Sequence, residues 1–461
     1  MRLGYHRRRV DWFGAIVKQS KRFLAQERLA HAERAQLRDE RLQALLRHAR
    51  ERSAFYRERI PDGPVALEGL PALEKPEMME RFDDLVCDPR LRRDDLLAWV
   101  ETRTRDELFE DGYRVMTTSG SSGRKGLFVY DREGWAAIAG YMLRISAWQG
   151  MRPGIPRRRL ALVGGASVTH MSCQGGASLR VGVHRVLTLP VTAPVDEQVA
   201  ALNHFQPQFL NTYPSAAMRL AEEQEAGRLR LSLTAMSTSS EVRTPAMTER
   251  LAAAFGVEPY DVYATTEGLF GTECEQHDGI HLFDDACVVE NVDGDGRAVP
   301  PGTAGARVLV TNLHNRVQPI VRLAVADVIT LDPEPCPCGR TLVRAAAIDG
   351  RHDDVLSMRA RGGGTATVLP AHFAVITRDR GVREFQVRQE PGGVRVLVVP
   401  CVAGDVELEA RLRGAVTRAL AEIGVDARVE VERCEALARR GGKAQIVVAA
   451  EDPLLAQPSE G

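Results

Sequence analysis

The feature that most narrows what this chain can fold into is an alternation. Between residues 115 and 330, short apolar runs take turns with segments of helical periodicity. The runs "RLALVGG" (159–165), "QFLNTY" (208–213) and "RVLVTNL" (307–313) have the length and composition of strands. Between them, "SAAMRLAEEQEAG" (215–227) reads as a helix that starts at a serine cap and ends at glycine. This pattern predicts an α/β fold, a largely buried mixed or parallel sheet with covering helices.

The flanks differ from this middle. Residues 24–60 read as helical, with Leu42, Leu45, Leu46 and Ala49 repeating at helix spacing and Pro61 closing the segment. Near "DGRHDDVL" (349–356) the texture changes. "EFQVRQEPGGVRVLVV" (384–399) reads as two strands joined by a Pro-Gly-Gly turn. Residues 405–423 form an amphipathic helix with Leu408, Leu412, Val416 and Ile423 on or near one face, stopped by Gly424. "ARVEVE" (427–432) then alternates like a half-buried strand. At 461 residues the chain exceeds one ordinary core, so a large domain over 1–350 and a small α+β domain over 351–461 are expected.

Charge and cysteine usage exclude some classes. With 61 Lys plus Arg against 62 Asp plus Glu, neither nucleic acid nor an anionic membrane is the expected partner. Residues 1–23 are basic but contain no signal-like apolar run, and no stretch approaches the ~20 apolar residues of a membrane span. The eight cysteines lack the spacing of a secreted disulfide scaffold, so reduced thiols and a cytoplasmic location are expected. A homodimer is compatible with all of this.

Against that background "MTTSGSSGRKGLFVYD" (116–131) stands out. Seven Ser, Thr and Gly residues, 117–123, precede Arg124, Lys125 and the apolar strand 127–130. Small residues let backbone N–H groups turn toward an anion, and hydroxyls and cations add to the attraction. The Gly-x-x-x-x-Gly-Lys-Ser/Thr loop cannot be laid over these residues. Taken alone, the stretch leaves a phosphate cradle, a linker and a surface hairpin open.

Four further segments carry chemistry of the same kind. "VYATTEG" (262–268) offers a ring, two hydroxyls and a hard carboxylate, although it also reads as a plain strand end with a turn. In "PIVRLAVADV" (319–328), Arg322 and Asp327 interrupt an apolar run. Residues 350–354, Gly-Arg-His-Asp-Asp, read as a hinge-like polar turn or a solvated linker, and Lys443 follows two glycines in "RRGGKAQIVV". Separately, Cys274 and His281, with six residues between them, and the later Cys336-Pro-Cys338 make a donor set for tetrahedral Zn²⁺. Cys287 or His277 could substitute as ligands, and buried free thiols are the alternative.

In order and spacing these segments resemble the adenylate-forming superfamily of acyl- and aryl-CoA synthetases, luciferases and peptide-synthetase adenylation domains. Residues 118–123 match its Ser/Thr/Gly phosphate loop, 263–267 its Tyr-Gly-x-Thr-Glu motif, 322–327 its Tyr-Arg-x-Gly-Asp region, 350–354 its hinge and Lys443 its C-terminal lysine. "LLRHARERSAFYRERI" (45–60) and "CPCGRT" (336–341) are similar to the phenylacetate–coenzyme A ligase branch and its capsule-biosynthesis relatives. The sequence departs from the pattern at Ala264, Leu323 and Ala326, and has Arg124-Lys125 where Lys-Pro is common.

The resemblance implies a large N-terminal adenylation domain of mixed sheets with covering helices, and a small mobile α+β C-terminal domain. It implies ATP-dependent conversion of a carboxylic acid to an acyl adenylate, then a thioester with coenzyme A. The alternatives are transfer to a carrier-protein thiol or an amine, or a non-catalytic nucleotide-binding module. By the family's pattern Thr117, Thr118, Ser119, Gly120, Ser121, Ser122, Gly123 and a cation such as Lys125 hold the β- and γ-phosphates. Thr266 touches the α-phosphate, Glu267 ligates Mg²⁺, and Tyr263 packs on adenine. Asp327, helped by Arg351, binds the ribose, and Ser240 and Glu241 join the nucleotide-binding set. Lys443 bridges carboxylate and α-phosphate, and Asp353 is the hinge. The acid pocket is expected to draw on residues 148–169 and 213–241.

Overall fold

The computed structural model describes residues 2–118, 126–151, 156–165, 167–179, 184–243, 245–351, 356–368, 370–377, 379, 381–400, 404–437, 439–440, 443–444 and 447–448. Most of the expected phosphate stretch (Ser119, Gly120, Ser121, Ser122, Gly123, Arg124 and Lys125) and the expected hinge residue Asp353 lie outside them.

The alternation seen in the sequence becomes one large sheet and, for the run 307–313, a separate three-stranded one. In chain order the strands are β1 (Arg114–Thr117), β2 (Leu127–Tyr130), β3 (Arg158–Gly164), β4 (His184–Pro190), β5 (Phe209–Thr212), β6 (Ala235–Ser239) and β7 (Pro259–Ala264). There follow β8 (Phe270–Glu273), β9 (Ile280–Leu282), β10 (Cys287–Val292), β11 (Arg307–Asn312), β12 (Leu323–Val325), β13 (Asp327–Leu331) and β14 (Arg344–Arg351). Nine of them form a sheet in the order β13–β14–β9–β8–β7–β6–β5–β3–β4. From β4 to β7 every pairing is parallel, and from β7 through β8, β9 and β14 to β13 every pairing is antiparallel.

Helices Pro214–Glu225 and Pro245–Phe255 cover the parallel part, where Leu210, Ala217, Leu220, Leu251 and Phe255 share one apolar core. The helix Arg132–Trp148 is buried along most of its length and starts at Asp131, whose carboxylate accepts from the Gly134 N–H at 2.8 Å. The N-terminal helix Arg2–Gln26 packs along it, contributing Ile16 and Phe23 to a second core with Trp135 and Tyr141.

Beyond β14 the chain builds β15 (Leu356–Arg359), β16 (Thr365–Val368), β17 (Val382–Glu390), β18 (Gly393–Pro400), β19 (Arg428–Arg433), β20 (Arg439–Arg440), β21 (Lys443–Ala444) and β22 (Val447–Val448). A four-stranded sheet, β19–β18–β17–β22, packs under the helix Leu408–Glu422. Its core (Val387, Val396, Leu412, Val416 and neighbours) is separate from those of the large sheet. No described helix is long and apolar enough to cross a membrane.

Several expectations are corrected. The helical segment begins at Arg2, pauses between Gln26 and His31, and breaks again at Ser53, whose hydroxyl accepts from the Tyr56 N–H at 3.2 Å. Ser215 is not a cap: Pro214 fills the first turn, Tyr213 is the N-cap, and the Ser215 hydroxyl donates to Glu241 at 3.1 Å. Asp405 precedes its helix and pairs with Arg411 at 2.7 Å. Gly350 and Arg351 are not in a turn but on β14.

Candidate active site and metal centre

The tight turn after β7 is the centre of the site. Tyr263 lies on β7, and the chain reverses through residues 265–268 so that Gly271 on β8 faces it. The turn closes with the Thr265 N–H donating to Leu269 O at 2.9 Å and the Thr265 hydroxyl accepting from the Leu269 N–H at 3.2 Å. Gly268 has φ of +105°, and a Cβ there would strike the Asn312 amide. That amide is needed, because its Nδ2 donates to Glu267 O at 3.0 Å. From the other side, the Tyr130 hydroxyl donates to Thr266 O at 2.8 Å. Burial and the nearby Glu267 carboxylate hold this phenol well above its ordinary value, so it remains a donor.

Two long-range contacts assemble the candidate side chains. The Tyr263 hydroxyl donates to Asp327 Oδ2 at 2.6 Å, joining β7 to the first residue of β13. Asp327 is in turn aligned with Arg351 across the β13–β14 pair, next to a register shift that bends the strand end. The Glu267 side chain, 5% exposed, receives Lys75 Nζ on Oε1 at 2.9 Å. Lys75 opens the short helix Lys75–Glu80, and its ammonium lies 5.8 Å from the Phe128 ring centre.

Lys75 therefore stands over the base of the phosphate stretch. There the Thr118 N–H donates to Gly126 O at 3.0 Å, and the Gly126 N–H donates to the Thr118 hydroxyl at 2.9 Å. Thr117, at the end of β1, shares a hydroxyl chain with Thr169 (3.1 Å) and Ser167 (2.8 Å from Thr169).

Sequence reasoning missed Lys75, Asn312, Asn315 and Gln318. Asn315 Nδ2 donates to Val129 O at 2.9 Å, while Gln318 accepts from the Val129 N–H at 2.7 Å and donates to Leu127 O at 3.0 Å. These side chains take the place of a third strand beside β2, so backbone groups near the phosphate stretch stay paired. The available signal was a run of amides, "TNLHNRVQ" (311–318), in an apolar context.

Other expected residues are more dispersed. Ser240 follows β6 with a left-handed φ of +71°, a strained state for a non-glycine residue. The Glu241 carboxylate is turned onto the Ser215 N–H (2.9 Å) at the start of a helix, where negative charge is favoured. Lys443 lies on β21, aligned with Arg440. Arg322, with φ of +52°, is buried and pairs with Glu290 at 2.8 Å, a structural contact.

The Cys/His set is brought together. One donor atom from each of Cys274, His281, Cys336 and Cys338 lies within 4.8 Å of every other, and all four residues are buried. The proposed substitutes fall outside the cluster: Cys287 Sγ donates to Gly268 O at 3.1 Å, and His277 Nδ1 faces Glu273 at 3.3 Å. Burial, helped by Arg340, pushes the His281 imidazole down to about 4, leaving it neutral near neutrality.

No protein-family model matches the chain. It is 28% identical to the phenylacetate–coenzyme A ligase of Thermus thermophilus over 420 residues, 85% of this chain and 91% of that one. It is 26% identical to the Escherichia coli phenylacetate–coenzyme A ligase over 338 residues, 70% of this chain and 72% of the other. Among solved structures it resembles 2-hydroxyisobutyryl-CoA ligase in the postadenylation state, with a TM-score of 0.74 at 24% identity over 94% and 92% of the two chains. That likeness bears on the fold. In sequence the chain is similar to phenylacetate–coenzyme A ligases over most of its length, and in fold to an acyl-coenzyme A ligase.

Proposed function

We propose that this protein activates a carboxylic acid with ATP to an acyl or aryl adenylate and passes the acyl group to coenzyme A. The observation that carries the reading is the convergence of Tyr263, Glu267 and Asp327 on one strand end, with Lys75 against Glu267. The two phenylacetate–coenzyme A ligases, which match across most of the chain, support it.

The first step joins a carboxylate oxygen to the α-phosphorus and breaks the bond to the β-phosphate oxygen, releasing pyrophosphate. Two anions must meet, so the site has to supply positive charge and fixed geometry. Lys75 supplies a cation at the mouth of the cradle, and Lys443 is assigned to bridge carboxylate and α-phosphate. Asp327, held by Tyr263, orients the ribose, and Thr266 contacts the α-phosphate.

Glu267 is a buried carboxylate paired with Lys75, a donor that fits a hard cation. Mg²⁺ bound there would offset the charge of the triphosphate. In the second step the thiol sulfur attacks the acyl carbon, AMP leaves, and the thiol proton passes to solvent. The unit over 351–461 acts as a lid that turns about Asp353 between the two steps.

Acid-dependent ATP–pyrophosphate exchange across a panel of aryl and short-chain acids tests this reading. Exchange with at least one acid is expected. Lys443→Ala should abolish it while sparing thioester formation from a supplied adenylate. Nucleotide binding without exchange for any acid would favour the non-catalytic reading, and an adenylate passed only to an amine or carrier protein would replace coenzyme A as acceptor.

A further inference from the structure

We infer that Cys274, His281, Cys336 and Cys338 form a structural Zn²⁺ site that clips the β8–β9 connection to the β13–β14 loop and, through that loop, to the N-terminal helices. The inference is independent of which acid the protein activates. A tetrahedral Zn²⁺ with Zn–S of about 2.3 Å and Zn–N of about 2.0–2.1 Å sets tetrahedron edges of roughly 3.8 Å between sulfurs and roughly 3.6 Å between sulfur and nitrogen. Cys274 Sγ and Cys336 Sγ are 3.7 Å apart, and Cys338 Sγ and His281 Nε2 are 3.5 Å apart.

The surroundings are built for thiolates. The Gln276 N–H donates to Cys274 Sγ at 3.5 Å, and the Arg340 N–H donates to Cys338 Sγ at 3.4 Å. Each donor lies two residues after its cysteine, and Gly339, with φ of +75°, makes the second of these turns accessible. Three thiolates and Zn²⁺ carry one net negative charge, and the Arg340 guanidinium, 4.1 Å above the Trp148 ring, stands beside them. Soft sulfur donors with one imidazole select Zn²⁺ over the hard cations, and four protein ligands leave no open position for catalysis.

What the site holds follows from its neighbours. Cys274 follows β8, His281 lies on β9, and Cys336 and Cys338 sit in the loop between β13 and β14. That loop also grips the link between the first two helices. The Thr341 N–H donates to Glu27 O at 3.1 Å, and the Thr341 hydroxyl donates to Leu29 O at 2.7 Å. Trp148 Nε1 donates to Glu27 Oε2 at 2.7 Å, and Arg34 pairs with Asp284 at 3.3 Å. One ion would thus tie together two strand connections and, through the loop, the N-terminal helices.

The test uses the full-length protein. Elemental analysis should give about one zinc per chain, and Co²⁺ exchanged for it should show the intense visible bands of a tetrahedral thiolate site. Chelation of the wild-type protein should lower its melting temperature. It should also speed amide exchange first at Gln276, Arg340 and Thr341, while β17 and β18 remain protected. The double variant Cys336→Ser, Cys338→Ser should bind no metal, and the chelation arm stands whether or not that variant folds. Metal-free protein from zinc-replete growth that takes up no Co²⁺ overturns the inference, as does chelation that leaves exchange at those amides unchanged.

Discussion

The two halves of the central sheet use the same kind of strand for different ends. In the parallel half, β4 to β7, the crossover helices Pro214–Glu225 and Pro245–Phe255 return the chain across an apolar face, and the residues beneath them pack one core. In the antiparallel half, turns and loops join β7 to β8, β8 to β9 and β13 to β14, while β10 to β12 form a separate three-stranded sheet between β9 and β13, and most of the described chemistry-bearing side chains gather there. Tyr263 precedes and Glu267 lies within its first turn, the Cys/His set spans its connections, and Asp327 stands at its edge. The difference teaches that short reversals, more than buried strands, place polar groups close together. A tight turn leaves backbone groups to be satisfied by side chains, which fixes those side chains in turn.

If the halves divide labour in this way, substitutions should separate stability from chemistry. Leu210→Ala, in the buried core of the parallel half, should cost about 2–5 kcal/mol of folding stability. Activity per folded molecule should stay unchanged in denaturant-titrated samples; a matching loss of turnover number would blur the division. On the other side, Glu267→Gln should slow pyrophosphate exchange roughly a hundredfold or more, about 3 kcal/mol, with AMP affinity barely moved and part of the rate recovered by excess Mg²⁺. Wild-type exchange at limiting Mg²⁺ would make this glutamate a structural residue.

Tyr263→Phe removes only the hydroxyl that holds Asp327. A hydrogen bond to a charged group is worth about 1.5–3 kcal/mol, so the KM for ATP should rise roughly tenfold or more. An unchanged KM would detach Asp327 from the ribose.

The last effect concerns the seam itself. Asp261, on β7 where parallel pairing gives way to antiparallel, has its carboxyl pushed up to about 7 by desolvation, against the pull of Arg243. The folded chain then holds a proton that the unfolded chain has already lost between roughly pH 4 and the raised value. Stability should therefore fall as pH rises through that window, and the cost is complete above it. Asp261→Asn should flatten the melting-temperature profile there; superimposable profiles would assign the dependence to other groups.

Part of this was legible in the chain and part was not. Strand and helix positions are written in local periods of two and 3.6, so the α/β middle, the hairpin at 384–399 and the helix beginning near Asp405 could be read to within a few residues. The Cys/His donors were legible because ligand types are few and their chemistry is specific. Misreadings came where tertiary contact overrode local grammar. Ser215 looks like a cap but serves Glu241, and Gly350 looks like a turn but continues a strand.

By itself, then, the sequence determined the class of fold, the order of the nucleotide motifs and a pool of metal-binding candidates, since these depend on neighbours along the chain. Only the tertiary structure decided that Lys75 meets Glu267 across 192 positions, and that Cys274 and His281, not Cys287 or His277, join the Cys336–Cys338 loop. Only it showed that Asn315 and Gln318 complete β2. The physical reason is that propensity acts over a few residues, whereas which distant side chains meet is fixed by how sheets and helices pack around a shared core.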